Sequence, residues 1–343
     1  MTSINYNKSL KKYNTFGIDV FTKCLIEYDS LEDLIQIFSQ KNKYPKPFLH
    51  VGEGSNLLFS KPYEGTVLHS RILGIEEIER TKKTVVLRVG AGVIWDDFVL
   101  YCVNHEFYGA ENLSHIPGEV GASAVQNIGA YGADVSQLIK RVHTYSLDTA
   151  QMKCWTNEEC QYAYRKSLFK LPEVKGRYIV TYVDYELSLE RKVRLDYGAI
   201  KSQLISMGIT KSEEATLSSI REAIISIRKK KLPDPKLIGN AGSFFVNPVI
   251  TEEKYQLLLQ RYPSMPSYRI DANHLKIPAG WMIEQIGWKG KSMGNVGVHK
   301  DQALVLVNLG GASAQEIIDL CQLLIHKVEE RFGIIIYPEV NVI

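Results

Sequence analysis

The sequence predicts an α+β fold in two or three domains, and three observations support this prediction. The chain has 343 residues, which is more than one compact core usually organises. Segments with strand and helix patterns follow one another without the strict alternation that builds parallel βαβ units. The glycine turn at residues 52–54 lacks the third glycine and the following helix of a dinucleotide-binding fingerprint, which argues against a doubly wound sheet.

The first half of the chain is predicted to contain mostly strands. Residues 30–41 have apolar side chains at helical spacing, and Ser30 can cap the N-terminus of that helix. A second helix is predicted at residues 94–105, with its apolar face turned inward. The predicted strands, which are short apolar or alternating runs, are 47–51, 57–59, 66–70, 84–89, 142–147 and 178–189.

The second half of the chain is predicted to contain most of the helices. Pro233 and Pro235 end a helix that is basic in its last turn. Ser313 and Glu316 have the spacing of a capping box at the start of a long amphipathic helix. The predicted helices are 217–231, 251–262, 279–286 and 314–332, and the predicted strands are 303–308 and 334–343.

Composition and charge argue against several functional classes. Hydrophobic residues make up 45% of the chain and charged residues 23%, as in an ordinary soluble globular protein. The net charge is only +3, so a general nucleic-acid binder is not expected. No apolar run has the length of a signal-peptide core or a membrane span, so we expect a cytoplasmic protein without membrane insertion. The five cysteines form no C-x-x-C pair and the eight histidines show no metal-ligand spacing, so we expect reduced thiols and no metal site.

Residues 111–132 form the most distinctive stretch of the chain. Four glycines and one proline occur there, with no lysine or arginine. Glycine lets a ligand approach the backbone closely, and neighbouring backbone N–H groups can hold a phosphate. The amides of Gln126 and Asn127 can reach the edge of a heterocycle. A long glycine-rich surface loop fits the same composition equally well.

The motifs taken together resemble the UDP-N-acetylenolpyruvoylglucosamine reductase family over nearly the whole chain. Each motif is short, but their joint order and spacing are specific. The motifs are Asn14-Thr15-Phe16-Gly17, Gly52-Glu53-Gly54-Ser55-Asn56, Ile116-Pro117-Gly118, Gln126-Asn127-Ile128-Gly129-Ala130-Tyr131-Gly132, Tyr164-Arg165, Lys231-Leu232-Pro233-Asp234-Pro235, Gly242-Ser243-Phe244-Phe245, Asn247-Pro248, Ala279-Gly280-Trp281 and Pro338-Glu339-Val340.

The resemblance implies an FAD-binding fold of two subdomains, of the vanillyl-alcohol oxidase/PCMH type, followed by an α+β substrate-binding domain. The implied subdomains are residues 1–66 and 67–215, and the implied substrate-binding domain is residues 216–332. A C-terminal strand at 333–343 would return to the first subdomain. The chain length and Tyr197 match the longer subclass of the family, in which a tyrosine-bearing loop closes over the substrate.

The resemblance also implies FAD and NADPH as cofactors. The glycine-rich segments would wrap the FAD diphosphate and approach the flavin ring without a metal ion. Arg228 would help to hold the flavin, although a solvated helix face explains this arginine equally well from sequence alone. The implied cofactor-binding residues are Gly52, Glu53, Gly54, Ser55, Asn56, Pro117, Gly118, Gly121, Ala122, Ser123, Gln126, Asn127, Gly129, Ala130, Tyr131, Gly132 and Arg228.

Three residues would carry the chemistry by the same resemblance. The reaction would be NADPH-dependent reduction of UDP-N-acetylglucosamine enolpyruvate to UDP-N-acetylmuramate, with hydride passing from flavin N5 to the enolpyruvyl group. Arg165 and Glu339 would stabilise the enolate, and Ser243 would donate the proton. Without the family, a surface ion pair explains Arg165 and a turn explains Ser243, whereas a carboxylate such as Glu339 is unusual in an apolar strand.

The resemblance assigns further residues to the UDP-sugar. These substrate-binding residues are Tyr164, Tyr197, Lys231, Asn247 and Gln302. Lys231 suits the UDP diphosphate as a point charge, and Tyr197 would reach the nucleotide as its loop closes. The chain departs from the family pattern at Tyr337, where an acidic residue is expected before Pro338. We expect a monomer whose partners are the UDP-sugar and NADPH.

Two other functions fit parts of the pattern. A flavin oxidase of the same fold often carries a covalent His or Cys anchor in its early glycine loop. Here that loop offers neither residue, although His50 lies two residues before it. A UDP-sugar sensor without catalysis would have no need for a proton donor such as Ser243.

Overall fold

Strands and helices are mixed along residues 2–343, which are the residues that the structure, a computed structural model, describes. The strands are β1 (Ser3–Ser9), β2 (Phe21–Tyr28), β3 (Phe48–Val51), β4 (Leu57–Leu58), β5 (Tyr63–Ser70), β6 (Ile75–Arg80), β7 (Thr84–Gly90), β8 (Gly129–Ala130), β9 (Ala133–Asp134), β10 (Ile139–Ser146), β11 (Met152–Thr156), β12 (Tyr178–Ser188), β13 (Gly239–Asn240), β14 (Val249–Thr251), β15 (Tyr268–Arg269), β16 (His274–Lys276), β17 (Ser292–Met293), β18 (Val296–Val298), β19 (Leu306–Asn308) and β20 (Asn341–Val342). The α-helices are α1 (Leu31–Ser39), α2 (Trp95–Asn104), α3 (Val120–Gln126), α4 (Gly198–Ser206), α5 (Leu217–Lys231), α6 (Glu252–Arg261), α7 (Ala279–Gln285) and α8 (Ala314–Phe332).

The chain folds into two compact units, and each unit is built from separated pieces of sequence. Unit 1 comprises the residues up to Lys8 together with residues 21–53 and 63–228. Unit 2 comprises residues 9–20, 54–62 and 229–343. The chain contains both parallel and antiparallel strand pairs, and its helices do not alternate strictly with its strands. The predicted α+β class is therefore confirmed. The domain boundaries implied by the family resemblance stay predictions.

The first sheet of unit 1 is partly parallel. Its strand order is β1-β2-β5-β3, and β5 runs parallel to both β2 and β3. Helix α1 connects β2 to β3, and Ser30 caps it as predicted, because its hydroxyl accepts the Asp33 N–H at 3.0 Å. The strand register places Glu27 of β2 and Val51 of β3 on either side of His69 in β5.

The second sheet of unit 1 is antiparallel, with strand order β11-β10-β12-β7-β6. One face packs against α2 and α3, where the rings of Phe98 and Tyr185 stack at 4.7 Å and Trp95 is fully buried. Because side chains alternate along a strand, Asp184 points to the opposite face. There its carboxylate accepts hydrogen bonds from Arg88 and Arg141, each at 2.9 Å.

Unit 2 combines small sheets with three helices. Its sheets have the orders β13-β19-β18-β17 and β14-β16-β15, and β20 runs parallel to β4. Helix α8 begins with the predicted capping box of Ser313 and Glu316 and ends at Gly333, whose φ is 60°. The early segment is built into this unit, since the Asn240 N–H donates to the Thr15 carbonyl at 3.0 Å and Phe16 is fully buried.

The C-terminal segment differs from its prediction. The pattern predicts one strand over 334–343, but regular pairing occurs only at Asn341–Val342, with an isolated bridge between Phe245 and Pro338. Ile334 and Ile336 are buried and Ile335 is exposed, so the alternation reflects packing of an extended segment rather than a ladder of hydrogen bonds. Among residues 2–343, no helix combines the length and the apolar character that crossing a bilayer requires.

Candidate functional site

The glycine-rich stretch is more ordered than a long loop. Helix α3 occupies its centre and ends at Asn127, which adopts the left-handed conformation with φ 47°. Strands β8 and β9 then form a hairpin with Tyr131 (φ 49°) and Gly132 (φ 80°) at its turn. The stretch therefore presents a helix and a tight hairpin, each with fixed backbone directions.

Two kinds of glycine occur in this stretch. A Cβ on Gly129 would lie 1.9 Å from Oδ1 of Asp134, and a Cβ on Gly121 would lie 2.9 Å from Cβ of Ala91. Internal packing therefore explains both of these glycines. At Gly132, in contrast, a Cβ would meet no atom within 4 Å, so the hairpin turn has an open side.

The two predicted cofactor-binding segments of unit 1 touch one another. The Gly118 N–H donates to Oε2 of Glu53 at 2.7 Å. A Cβ on Gly52 would lie 3.0 Å from Oε2 of Glu119, so the absence of a side chain at Gly52 leaves room for this carboxylate. The Glu119 side chain, 5% exposed, is held in turn by Nε2 of His69 at 2.8 Å. The sequence motifs include neither Glu119 nor His69.

Arg165 is fixed against the end of helix α3. Its Nη2 donates to the Gly129 carbonyl at 2.8 Å, and its Nη1 donates to the Asn127 carbonyl at 3.4 Å. The Asn127 amide donates back to the Ala163 carbonyl at 2.8 Å, and Arg165 itself has a left-handed φ of 55°. The ring of Tyr164 lies 5.7 Å from the guanidinium. The tight turn 163–166 thus directs one predicted catalytic residue to the glycine-rich stretch.

Arg228 reaches the same stretch from helix α5. Its Nε donates to the His115 carbonyl at 3.0 Å. Burial lowers the pKa of the Arg228 guanidinium, while a hydrogen bond with the Tyr131 phenol acts in the opposite direction. The rings of Tyr131 and Tyr197 meet edge to face at 5.4 Å. Unit 1 therefore brings four of the predicted residues, Arg165, Arg228, Tyr131 and Tyr197, to one glycine-rich segment.

Asn112 is a residue that sequence analysis missed. It is 1% exposed, and its amide donates to the carbonyls of Tyr131 at 2.9 Å and Arg194 at 3.1 Å. It thereby joins the hairpin to the segment that leads to Tyr197. The available signal was its position inside the distinctive stretch 111–132, just before the motif Ile116-Pro117-Gly118.

In unit 2, Ser243 and Glu339 lie on adjacent segments. The Glu339 N–H donates to the Phe244 carbonyl at 2.8 Å, and the Asn56 amide donates to the Glu339 carbonyl at 3.3 Å. Ser243 is exposed, and the preceding Gly242 has φ 66° with open space where a Cβ would be. A substrate can therefore approach the Ser243 hydroxyl without meeting its neighbour. Arg165 belongs to unit 1, whereas Ser243 and Glu339 belong to unit 2.

The remaining predicted substrate-binding residues of unit 2 have different surroundings. Oδ1 of Asn247 accepts the Ala279 N–H at 2.9 Å at the start of α7, so part of this side chain is used in the fold. Oε1 of Gln302 accepts the Leu304 N–H at 3.3 Å. Leu304 in turn accepts the Phe244 N–H at 2.7 Å, which connects Gln302 to the segment after Ser243. Lys231 is exposed at the end of α5.

Comparisons with known proteins give matches over both halves of the chain. A family model described as an FAD binding domain matches residues 22–148, and one described as the UDP-N-acetylenolpyruvoylglucosamine reductase C-terminal domain matches residues 234–343. The chain is similar to the UDP-N-acetylenolpyruvoylglucosamine reductases of Bacteroides fragilis strain YCH46, with 52% identity covering 98% of both chains, and Porphyromonas gingivalis strain W83, with 47% identity covering 99% of both. The crystal structure of the Thermus caldophilus UDP-N-acetylenolpyruvylglucosamine reductase has a similar fold, with TM-score 0.65 and 22% identity, covering 100% of this chain and 98% of that one.

Proposed function

Because this chain belongs to the UDP-N-acetylenolpyruvoylglucosamine reductase family, whose members are FAD-binding oxidoreductases, we propose that it uses NADPH to reduce UDP-N-acetylglucosamine enolpyruvate to UDP-N-acetylmuramate. The observation that carries the proposal is 52% identity over 98% of the chain. The product is a peptidoglycan precursor. The reaction is assigned to the cytoplasm, where both NADPH and UDP-sugars are formed, and the enzyme is expected to act as a monomer.

The residues of unit 1 fit FAD. The glycine-rich stretch offers backbone N–H groups without a competing lysine or arginine, and the open side of Gly132 leaves room for a ligand. The proposed cofactor residues of unit 1 include Gly52, Glu53 and the segment 117–132, and Arg228 adds one cation beside Tyr131. When bound, FAD supplies hydride transfer from NADPH to the enolpyruvyl group, with flavin N5 as the donor atom.

Arg165 is proposed to bind the carboxylate of the enolpyruvyl group. An enol ether is a poor hydride acceptor unless its conjugated carboxylate is polarised, because negative charge develops there during the reaction. A guanidinium stays cationic and can donate two parallel hydrogen bonds to a carboxylate. The hydrogen bonds of Arg165 to Gly129 and Asn127 support this role, because a side chain fixed in advance loses less freedom when substrate binds.

Ser243 and Glu339 are proposed to complete the chemistry. Ser243 donates a proton to the substrate carbon that does not receive hydride, and Glu339 shares the enolate carboxylate with Arg165. The exposed hydroxyl of Ser243 and the open space at Gly242 support the first role. The backbone hydrogen bond from Glu339 to Phe244 supports the second role, because it fixes the Glu339 backbone beside the residue that follows Ser243.

Tyr164, Tyr197, Lys231, Asn247 and Gln302 are proposed to bind the UDP-sugar. Lys231 is exposed and can follow the diphosphate as a flexible point charge. Tyr197 is 44% exposed while its ring packs against Tyr131, and this exposure supports a role in contacting the nucleotide. The loop that carries Tyr197 is proposed to close over the bound substrate.

A spectroscopic experiment tests the proposed function. The purified protein should be yellow, NADPH should bleach the flavin spectrum without oxygen, and the enolpyruvyl UDP-sugar should restore it. A colourless protein that stays colourless with added FAD would overturn the proposal. Reoxidation by air alone, with no response to the UDP-sugar, would indicate a flavin oxidase instead. Against that alternative, Nε2 of His50 is already held by the Tyr28 phenol at 2.8 Å.

A further inference from the structure

A half-buried histidine lies between two carboxylates beside the proposed cofactor segments. Nε2 of His69 is 2.8 Å from Oε1 of Glu119, and Nδ1 is 3.5 Å from Oε1 of Glu27. The three side chains are 16%, 5% and 20% exposed in that order. Oε2 of Glu119 approaches Gly52 so closely that a Cβ there would be 3.0 Å away. Glu119 therefore joins the histidine to the backbone that is proposed to hold FAD.

The charges around the histidine are mainly negative. Besides Glu27 and Glu119, Glu53 lies close enough to raise the pKa of Glu119 by repulsion, although burial is the larger cause of that rise. Arg71 is 3.8 Å from Glu27 and is bonded to Asp29 at 2.9 Å. On β3, burial and the neighbouring His69 lower the pKa of His50 to about 3, so His50 adds no charge near neutral pH.

The pair of His69 and Glu119 holds a proton more tightly than a free imidazole. Burial alone would lower the pKa of His69, but the hydrogen bond with Glu119 and the negative charges of Glu119 and Glu27 raise it above its ordinary value. Burial likewise raises the pKa of Glu119. The hydrogen-bonded pair therefore shares one proton, which belongs to the pair rather than to either residue alone.

We propose that the His69–Glu119 pair couples FAD binding to the uptake of a proton, an inference that rests on the proposed FAD cradle. The FAD diphosphate brings two negative charges towards Gly52 and Gly118, where Glu53 and Glu119 already lie. Losing the shared proton would leave the cradle with uncompensated carboxylates. FAD therefore binds the protonated pair in preference to the deprotonated pair, and it pulls a proton onto the pair when the pH is high.

The sign of the pH dependence follows from this preference. The pair binds a proton more tightly with FAD present than without it, so the dissociation constant for FAD rises as the pH rises. As the pH rises through the range in which the FAD-free pair loses its proton, the logarithm of the dissociation constant should increase by up to about one per pH unit. The diphosphate keeps both charges over this range, so the protein supplies the titrating group.

Calorimetry on the full-length apoprotein tests the proposal directly. FAD is titrated into the wild-type chain at several pH values, in two phosphate-free buffers with different enthalpies of protonation. Proton uptake appears as a difference in observed enthalpy between the two buffers. Uptake between a half and one proton at pH 8, together with a rising dissociation constant, is the expected result.

Substitutions locate the proton. Glu119→Gln removes one cradle carboxylate, so FAD should bind at pH 9 about tenfold more tightly than in the wild type, with proton uptake strongly reduced. The double variant His69→Gln, Glu119→Gln replaces the pair by two amides and should show a flat pH profile. His50→Gln is the matched control, because His50 is another half-buried histidine of the same sheet and stays neutral, so the pH slope should persist. Thermal melting of each apoprotein verifies folding.

The outcomes separate this inference from the proposed function. No FAD binding by the wild type at any pH would overturn the proposed function and this inference together. FAD binding with a constant affinity and no buffer-dependent enthalpy would overturn this inference alone. Unchanged proton uptake in a folded double variant would also overturn it, because the proton would then belong to another group.

Discussion

The backbone N–H of Glu339 donates a hydrogen bond to the carbonyl oxygen of Phe244 at 2.8 Å. This bond holds the backbone of Glu339 next to Phe244, the residue that follows Ser243. Phe244 lies almost a hundred positions earlier in the chain. The bond is part of a short antiparallel contact that includes the bridge between Phe245 and Pro338. The proposed proton donor and the proposed enolate partner are thus positioned by one backbone arrangement.

The first prediction concerns Ser243→Ala. NADPH should still reduce the flavin at its normal rate, because the hydroxyl acts only on the sugar nucleotide. Reoxidation by the enolpyruvyl UDP-sugar should slow by about 10²–10⁴-fold, the usual contribution of a positioned acid. Stopped-flow absorbance measures both half-reactions separately. Ser264→Ala, at another exposed serine of unit 2, should leave both rates unchanged. Equal loss of both half-reactions would refute the role of Ser243 as the acid.

The second prediction concerns Arg165→Lys. A single ammonium cannot keep the bonds to Gly129 and Asn127 while also donating two bonds to a carboxylate. We expect kcat/KM for the UDP-sugar to fall by about two orders of magnitude, equivalent to about 3 kcal/mol. Steady-state kinetics measures this loss. Lys166→Arg, at the next residue of the same turn, is the matched control, and near-normal turnover of the Arg165 variant would remove it from the charge-stabilising role.

The third prediction concerns Gly54→Ala in unit 2. Gly54 has φ 68°, and a Cβ there would lie 2.0 Å from the Tyr13 carbonyl oxygen. The backbone strain costs about 1 kcal/mol and the overlap adds about 1–3 kcal/mol. Chemical denaturation of the apoprotein should show the combined loss. Gly176→Ala has a similar φ of 76° with open space around it, so only the strain should appear. An equal effect of the two substitutions would contradict the overlap.

The fourth prediction concerns a largely buried ion pair. Asp96 accepts two hydrogen bonds from Arg221, at 2.6 and 2.8 Å, and a third from the His115 N–H at 2.5 Å. Asp96→Asn should lower the free energy of unfolding by about 3 kcal/mol near neutral pH, because it leaves the Arg221 cation without its charge partner. Asp97→Asn, at the exposed neighbour in the same helix, should change little. A stable Asp96 variant would show that the pair contributes nothing.

The same pair predicts a pH dependence. Burial acts to raise the pKa of Asp96, but Arg221 and the His115 N–H outweigh it, so the pKa lies below its ordinary value. A depressed carboxyl pKa stabilises the fold above the unfolded value of about 3.9, and this stabilisation is lost as the pH falls through the folded value. The difference between the wild type and Asp96→Asn should therefore be constant from pH 5 to pH 8 and shrink below about pH 4. Unfolding curves across this range measure it.

The long amphipathic helices could be predicted from sequence, but three of the edge strands could not. Helices 217–231 and 314–332 have the predicted bounds, because apolar spacing and caps define them locally. Strands β1, β6 and β11 are not evident in the pattern, and each lies at the edge of its sheet. Edge strands carry many polar and charged side chains, so alternation is weak there. Helix α3 was hidden because its glycine and serine residues have low helix propensity, and packing stabilises it instead.

The site was predictable only where a motif is continuous in sequence. The glycine segments and Arg165 could be named because their neighbours form short recognisable motifs. The pair of His69 and Glu119 could not, because 50 positions separate the two residues and only the tertiary fold brings strand β5 to the start of helix α3. Asn112 was missed for a similar reason, since the carbonyl of Arg194 that it binds lies 82 positions later.

Unit 2 is built from separated pieces of sequence, so its early segments are synthesised long before the residues that they contact. The carbonyl oxygens of Thr15 and Phe16 accept hydrogen bonds from Asn240 and Asn308, at 3.0 and 2.9 Å, and both donors are synthesised much later. The Asn56 carbonyl accepts the N–H of Asn341 at 3.0 Å, and Asn341 is synthesised almost at the end of the chain. Nascent chains halted before residue 240 therefore hold these early segments without their partners, and a chaperone that shields the buried Phe16 would act during this interval.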